Sequence, residues 1–168
     1  HESGEVMCLN CDGGMMMNLQ ELQTVVHHQL PIKIFIFNND GYLMIKHTQK
    51  ALFGKAGYVG TDKISGISCP DYNSVATAFG IPSYQIRNWD NCDEILNQIQ
   101  AADGPVICEV FMDPEQLFVP KLSLVAKPNG DLVSPPIEDL SPLVSIEDLS
   151  KSMIVPVHSK SISLREEG

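Results

Sequence analysis

The first 44 residues leave few folds open. Two apolar, strand-like runs, Val6-Met7-Cys8-Leu9 and Ile32-Lys33-Ile34-Phe35-Ile36-Phe37, each end in a polar cluster. The first is followed by Asn10-Cys11-Asp12-Gly13-Gly14, the second by Asn38-Asn39-Asp40-Gly41-Tyr42. Between them Leu19, Leu22 and Val26 recur at helical spacing, with Val25 and Leu30 widening the apolar stripe. Asn18 with Glu21 three residues on is a capping-box pattern for the start of that helix. Strand, helix and strand over this length predict a right-handed parallel crossover. Both polar clusters then fall at the carboxyl ends of neighbouring parallel strands, the edge at which open α/β sheets bind ligands.

Asp12 offers a carboxylate there, Asn39 a neutral amide oxygen, and Gly41 a backbone carbonyl that a glycine can turn inward. All three are hard oxygen ligands, and they are too few to enclose a cation alone. Mg²⁺ takes roughly six oxygens in an octahedron and draws the remainder from phosphates and water. Gly13 and Gly14 lack a Cβ, so their N–H groups can approach an anion closely, at the positive end of the helix that follows. The ligand expected from these residue types is a magnesium-bound diphosphate. Asp12 as a mere helix cap is the plainer reading, and the partnered Asn39 and Gly41 weigh against it.

An Asp-Gly pair, a helix, and Asn38-Asn39 with Asn39 27 positions after Asp12 resembles the fingerprint of thiamine diphosphate-dependent enzymes. The run Asp12-Gly13-Gly14-Met15-Met16-Met17-Asn18-Leu19-Gln20-Glu21-Leu22 is similar to the acetohydroxyacid (acetolactate) synthase branch, and the likeness extends over residues 6–120. The resemblance implies the thiamine diphosphate-binding fold, with thiamine diphosphate and Mg²⁺ as cofactors. It implies that Asp12 and Asn39 ligate Mg²⁺ through side chains and Gly41 through its carbonyl. Gly13 and Gly14 would contact the diphosphate. Tyr42, Leu43 and Met44 would line the cofactor, with Met44 beside the substrate pocket and His47 and Thr48 at its edge. The substrate implied is a 2-keto acid. In this family the pyrimidine end of the cofactor and the activating glutamate belong to another domain, so no catalytic residue is expected in this stretch. The pyrimidine-binding domain is therefore an expected partner, in a homodimer or homotetramer, and the chain reads as the last domain of a longer enzyme, inactive alone.

Two positions depart from the family pattern. Cys11 stands where the motif has its first glycine, and Thr48 stands where the synthases carry a substrate-pocket tryptophan. Thr48 motivates an alternative, a 2-keto acid decarboxylase of other specificity. Cys11 motivates another, a non-catalytic domain that keeps the fold.

The rest of the chain extends the alternation. Residues 42–50 read as a short helix lining the pocket, and residues 51–69, with Gly54, Gly57, Gly60 and Gly66, as a loop over the site. Residues 71–79 form a helix that Gly80 ends, residues 83–87 a strand, residues 90–102 an amphipathic helix on Ile95, Leu96 and Ile99, and residues 105–112 a buried strand. Trp89 is expected to pack beneath the helix after it. The fold class is α/β, a three-layer parallel sheet with helices on both faces. Residues 1–120 are expected to form the cofactor-binding domain. Residues 121–168 are read as an extended, proline-rich tail lying over another domain or subunit, disordered from His158 onward.

Net charge is −10, which argues against nucleic acid or an anionic membrane as partner. No apolar run is long enough to cross a bilayer and no signal peptide opens the sequence. Five scattered cysteines, an odd number, read as thiols of a reducing cytoplasm. Cys8 and Cys11 would point to opposite faces of a strand, without a second pair at zinc spacing.

Overall fold

The four apolar runs become four parallel strands in the computed structural model, which describes residue 4 and residues 6–54, 57–127 and 129–166. Strand β1 (Val6–Cys11) leads into α1 (Asp12–Met15), a 3-10 turn (Met16–Glu21) and α2 (Leu22–His27). Then follow β2 (Ile32–Asn38), α3 (Leu43–Phe53), α4 (Tyr72–Phe79), β3 (Ser83–Ile86), α5 (Cys92–Ala101) and β4 (Val106–Phe111). The strands lie in the order β1-β2-β4-β3. In register, Asn10 pairs with Ile36, Ile36 with Glu109, and Glu109 with Gln85.

Alternation along β2 divides the core. Ile34 and Ile36 face one way and pack with Leu22, Tyr72, Ala76 and Ile107. Phe35 faces the other way and packs with Ile86, Cys92, Ile95, Ile99, Val106 and Cys108. Helices therefore lie on both faces, as the strand-helix alternation predicts. On the second face Met7 and Leu9 remain 66% and 68% exposed. With Phe35, Phe37, Ile86 and Trp89 they line an apolar groove of about 570 Å³. Trp89, expected beneath α5, is instead 88% exposed on this groove.

Local signals account for both ends of α4. The Asp71 carboxylate accepts from the N–H groups of Asn73 and Ser74 at the start of α4, and Gly80 stops that helix in the left-handed conformation at φ 69°. The helix after β1 departs from expectation. It begins at Asp12, directly after the strand, and Asn18 is no cap: it lies inside the segment at φ −139°, ψ 32°, where the helix kinks. Glu21 instead accepts from Thr24 Oγ1 at 3.2 Å. Of the three adjacent methionines only Met15 is buried. Helix α3 runs to Phe53, three residues beyond the expected end.

The chain divides into two compact units, residues 1–116 and 117–168. The second differs from the extended tail expected from its prolines. It contains an antiparallel pair, β5 (Val125–Ala126) and β6 (Leu132–Val133), and two helices, α6 (Ile146–Ser152) and α7 (Ser159–Glu166). Ser145 caps α6 by accepting from the Asp148 N–H at 3.0 Å. The stretch read as disordered carries α7, whose Arg165 pairs with the buried Asp139 and whose Ser161 and Leu164 are buried. Among the described residues no helix is long and apolar enough to cross a membrane.

Candidate functional site

The carboxyl ends of β1 and β2 bring the two polar clusters together. Asp12 is 1% exposed, and three backbone N–H groups donate to its carboxylate. Gly13 N donates to Oδ1 at 2.7 Å, while Asn39 N and Gly41 N donate to Oδ2 at 3.1 and 3.0 Å. The Asp12 carbonyl accepts from the Tyr72 hydroxyl of α4. A carboxylate presents about four acceptor positions, so one remains open. Asn39 is 7% exposed, and its side-chain Oδ1 is buried without a hydrogen-bond partner. A buried carbonyl oxygen left this way costs about 1–3 kcal/mol, and a cation is one partner that removes the deficit.

Asp40 and Gly41 make the turn that carries these groups, at φ 60° and φ 148°. Gly41 is required for space as well as conformation, since a Cβ there would lie 2.2 Å from the Thr61 carbonyl. Tyr42 N donates to that same carbonyl at 2.7 Å, and Gly41 and Asp62 form an isolated antiparallel bridge. Gly13 and Gly14 also sit where side chains do not fit. A Cβ on Gly13 would lie 2.0 Å from the Tyr42 ring, and one on Gly14 2.4 Å from Asn10 Oδ1. The Gly13 N–H already serves Asp12.

Asn39, Asp40, Gly41 and Leu43 line a pocket of about 120 Å³, closed on its other side by Lys46, Thr61, Asp62, Lys63, Ile64 and Pro114. Leu43 is 4% exposed. Met44, His47 and Thr48 are not among the lining residues. Met44 is 62% exposed, His47 is half-buried on α3, and Thr48 is exposed with its Oγ1 donating to the Met44 carbonyl at 3.0 Å. Cys11 is an exposed free thiol at the end of β1.

Several pocket residues escaped the sequence reading. Lys46 pairs with Glu115, and with Asp62 at 3.4 Å. The Glu115 hydrogen bond is the main cause holding the Lys46 ammonium above its usual range. Asp62 accepts from Ser65 N at 2.9 Å and from Ser65 Oγ at 2.7 Å. Those donors, and after them Lys46, hold its carboxyl below the ordinary 3.8. The Asp62-x-x-Ser65 pattern is a local turn signal readable in the sequence. Tyr72 had no such signal, because its contact with Asp12 spans 60 positions. Burial raises the Tyr72 hydroxyl well above its usual range, so it serves only as a protonated donor. Burial first, and then the charge of Asp12, likewise raises the Cys69 thiol.

Among the described residues no three His, Cys, Asp or Glu side chains converge as a metal cluster. What the edge offers is one carboxylate and neutral oxygens, the donor set of a hard cation shared with another ligand rather than of zinc.

Comparison with known proteins places the chain in a family. Over 112 residues the chain is 36% identical to the acetolactate synthase large subunit of Pyropia yezoensis, covering 66% of this chain and 18% of that protein. It is 36% identical over 108 residues to the acetolactate synthase isozyme 2 large subunit of Escherichia coli K12, covering 64% and 19%. A pyruvate decarboxylase of Aspergillus parasiticus is 30% identical over 112 residues, covering 61% and 18%. The chain thus spans about a fifth of the length of these relatives. The family described as thiamine pyrophosphate enzyme, C-terminal TPP binding domain, matches residues 1–110. On this match the chain belongs to the thiamine pyrophosphate enzymes and carries their C-terminal TPP-binding domain.

Proposed function

We propose that this chain is the diphosphate-anchoring part of a thiamine diphosphate- and Mg²⁺-dependent, acetolactate synthase-like enzyme acting on 2-keto acids. The observation that carries the proposal is the Asn39 Oδ1, buried without a donor beside an Asp12 carboxylate with one acceptor position open. Asp12, Asn39 and the Gly41 carbonyl would supply three oxygens to Mg²⁺, leaving the rest of its roughly six positions to phosphate and water. When bound, thiamine diphosphate supplies the carbon nucleophile and electron sink that decarboxylation of a 2-keto acid needs. The chain's own residues hold and orient. Asp12 is fixed by three N–H donors and by Tyr72, and the 61–65 loop packs on the turn at Gly41.

The pyrimidine end of the cofactor and its activating glutamate would come from a further domain, in a homodimer or homotetramer, and the chain alone would be inactive. Its five cysteines are all unpaired thiols, which supports a reducing, cytoplasmic setting.

The test is a titration of thiamine diphosphate with and without Mg²⁺, followed by heat or thermal shift, on the wild type and on Asn39→Ala. Mg²⁺-dependent binding that disappears in the variant is expected. Equal binding by both proteins overturns the proposed ligand set. Thr48 and the pyruvate decarboxylase relative favour a second reading, decarboxylation without carbon–carbon joining. Product analysis on pyruvate with a full-length form separates the two, since joining yields a longer carbon chain.

A further inference from the structure

Glu109 is a carboxylate that the site described above does not use, although it lies in the middle of the sheet. It is 2% exposed, on β4, in register with Ile36 of β2 and Gln85 of β3. A buried carboxylate is expensive, and an apolar residue would fill the same space at less cost. Two amides satisfy it. Asn38 Nδ2 donates to one oxygen at 2.6 Å and Gln85 Nε2 to the other at 3.1 Å.

The link to Asn38 reaches the cation turn. Asn38 is the last residue of β2, and its Oδ1 accepts from the Asp40 N–H at 2.9 Å. A carboxylate can only accept, so it forces the Asn38 amide to present Nδ2 to β4 and Oδ1 to the turn. Rotating that amide by half a turn would set oxygen against carboxylate and NH₂ against N–H. The Asp40 N–H that is gripped this way belongs to the residue at φ 60°, between Asn39 and Gly41.

We propose that Glu109 is a positioning residue for the cation-binding turn: through the Asn38 amide it fixes residues 39–41, and with them the Asn39 side chain and the Gly41 carbonyl. This rests on the ligand set proposed above, and the test keeps the two separable.

Amide exchange at Asp40, followed by NMR, reads the turn directly and needs no cofactor. Glu109→Ala and Asn38→Ala should each speed exchange at Asp40 by about tenfold. Glu109→Gln should stay within about twofold of the wild type. Its amide oxygen still accepts from Asn38, and its NH₂ is met by turning the Gln85 amide, which gives up only the exposed 3.3 Å bond that Gln85 Oε1 accepts from Arg87. In parallel, the Mg²⁺ concentration that half-saturates a thermal shift at fixed thiamine diphosphate should rise roughly 10- to 100-fold in Glu109→Ala and Asn38→Ala and hold in Glu109→Gln. Rescue by glutamine distinguishes orientation from charge or bulk.

Unchanged exchange at Asp40 in Asn38→Ala, or exchange in Glu109→Gln as fast as in Asn38→Ala, overturns the proposal. Wild-type exchange in Glu109→Ala overturns it too, and where that variant does not fold, Glu109→Leu, of similar bulk and without an acceptor for Asn38, takes its place. A wild type that takes up no Mg²⁺ with the cofactor counts against the ligand set, while the exchange comparison still decides for or against Glu109.

Discussion

Asp12 and Asn39 stand at the ends of adjacent strands and are both nearly out of water, yet their side-chain oxygens are served in opposite ways. Asp12 receives three backbone N–H groups, one from its own helix and two from the turn after β2. Asn39 Oδ1 receives none. The first side chain ties two elements of the fold together whether or not a cation is present. The second has no role that the fold itself explains. A residue can therefore belong to a ligand set and to the scaffold at once, and only the unsatisfied partner reads as purely functional.

The comparison breaks most sharply at Asp12. Removing the carboxylate in Asp12→Ala strands three N–H donors, each buried donor without a partner costing about 1–3 kcal/mol. A loss of roughly 3 kcal/mol in unfolding free energy by urea titration is expected, along with loss of Mg²⁺-dependent cofactor binding. A variant as stable as the wild type would mean that water or rearrangement serves those donors, and that Asp12 is no more structural than Asn39.

Gly41→Ala comes next. At φ 148° a side chain is strained whatever the space, and the added Cβ would meet the Thr61 carbonyl at 2.2 Å. The turn and the 61–65 loop cannot both keep their positions. A loss of roughly 2 kcal/mol is expected, with weakened Mg²⁺ binding, because the clash is with backbone. The same melt without change in stability would place the turn's rigidity elsewhere.

Asn39→Ala is the sharpening experiment. It deletes a carbonyl oxygen that has no partner, relieving a cost of about 1–3 kcal/mol that the lost side-chain packing offsets, so stability should hold or rise. Mg²⁺-dependent binding should nonetheless vanish. A large destabilisation would reveal a structural duty at Asn39 and erase the distinction from Asp12.

How far the sequence discloses this arrangement follows from the range of each interaction. Strands β1, β2 and β4 were legible because each is a mainly apolar run closed by Gly, Pro or polar residues, and β3, Ser-Tyr-Gln-Ile, because it falls between two helical segments. Asp12, Asn39 and Gly41 were legible because the two halves of the motif follow consecutive strands, so chain order alone brings them to one edge. The start of the first helix was not. Asn18 and Glu21 satisfy a local capping pattern, but the helix already begins at Asp12, where the carboxylate serves Gly13 and the turn at residues 39–41. Tertiary bonding overrode a local preference. Tyr72 and Glu109 were invisible for the same reason: their partners lie 60 and 71 positions away. The last helix, α7, has little amphipathic pattern to announce it, and its Arg165 finds Asp139 only once residues 117–168 are folded.

The smallest effect concerns the loop that closes the pocket. Asp62 holds a carboxyl lowered below 3.8, chiefly by the Ser65 hydroxyl and N–H and then by Lys46. A group lowered on folding contributes stability that is complete above its unfolded value and is lost as pH falls through its folded value. The Lys46 ammonium is raised above 10.5, chiefly by Glu115, so its contribution is complete below 10.5 and is lost as pH rises through the folded value. Between those limits the 61–65 loop should hold its place, and it should loosen only below pH 3.8 or above pH 10.5. Exchange of the Ser65 amide, which donates to Asp62 Oδ1 at 2.9 Å, is the measurement. The neutral Asn39 amide does not titrate, so no part of this response comes from it. Loosening of Ser65 between pH 5 and 8 would mean that the loop rests on neither charge, and that the turn at Gly41 alone carries it.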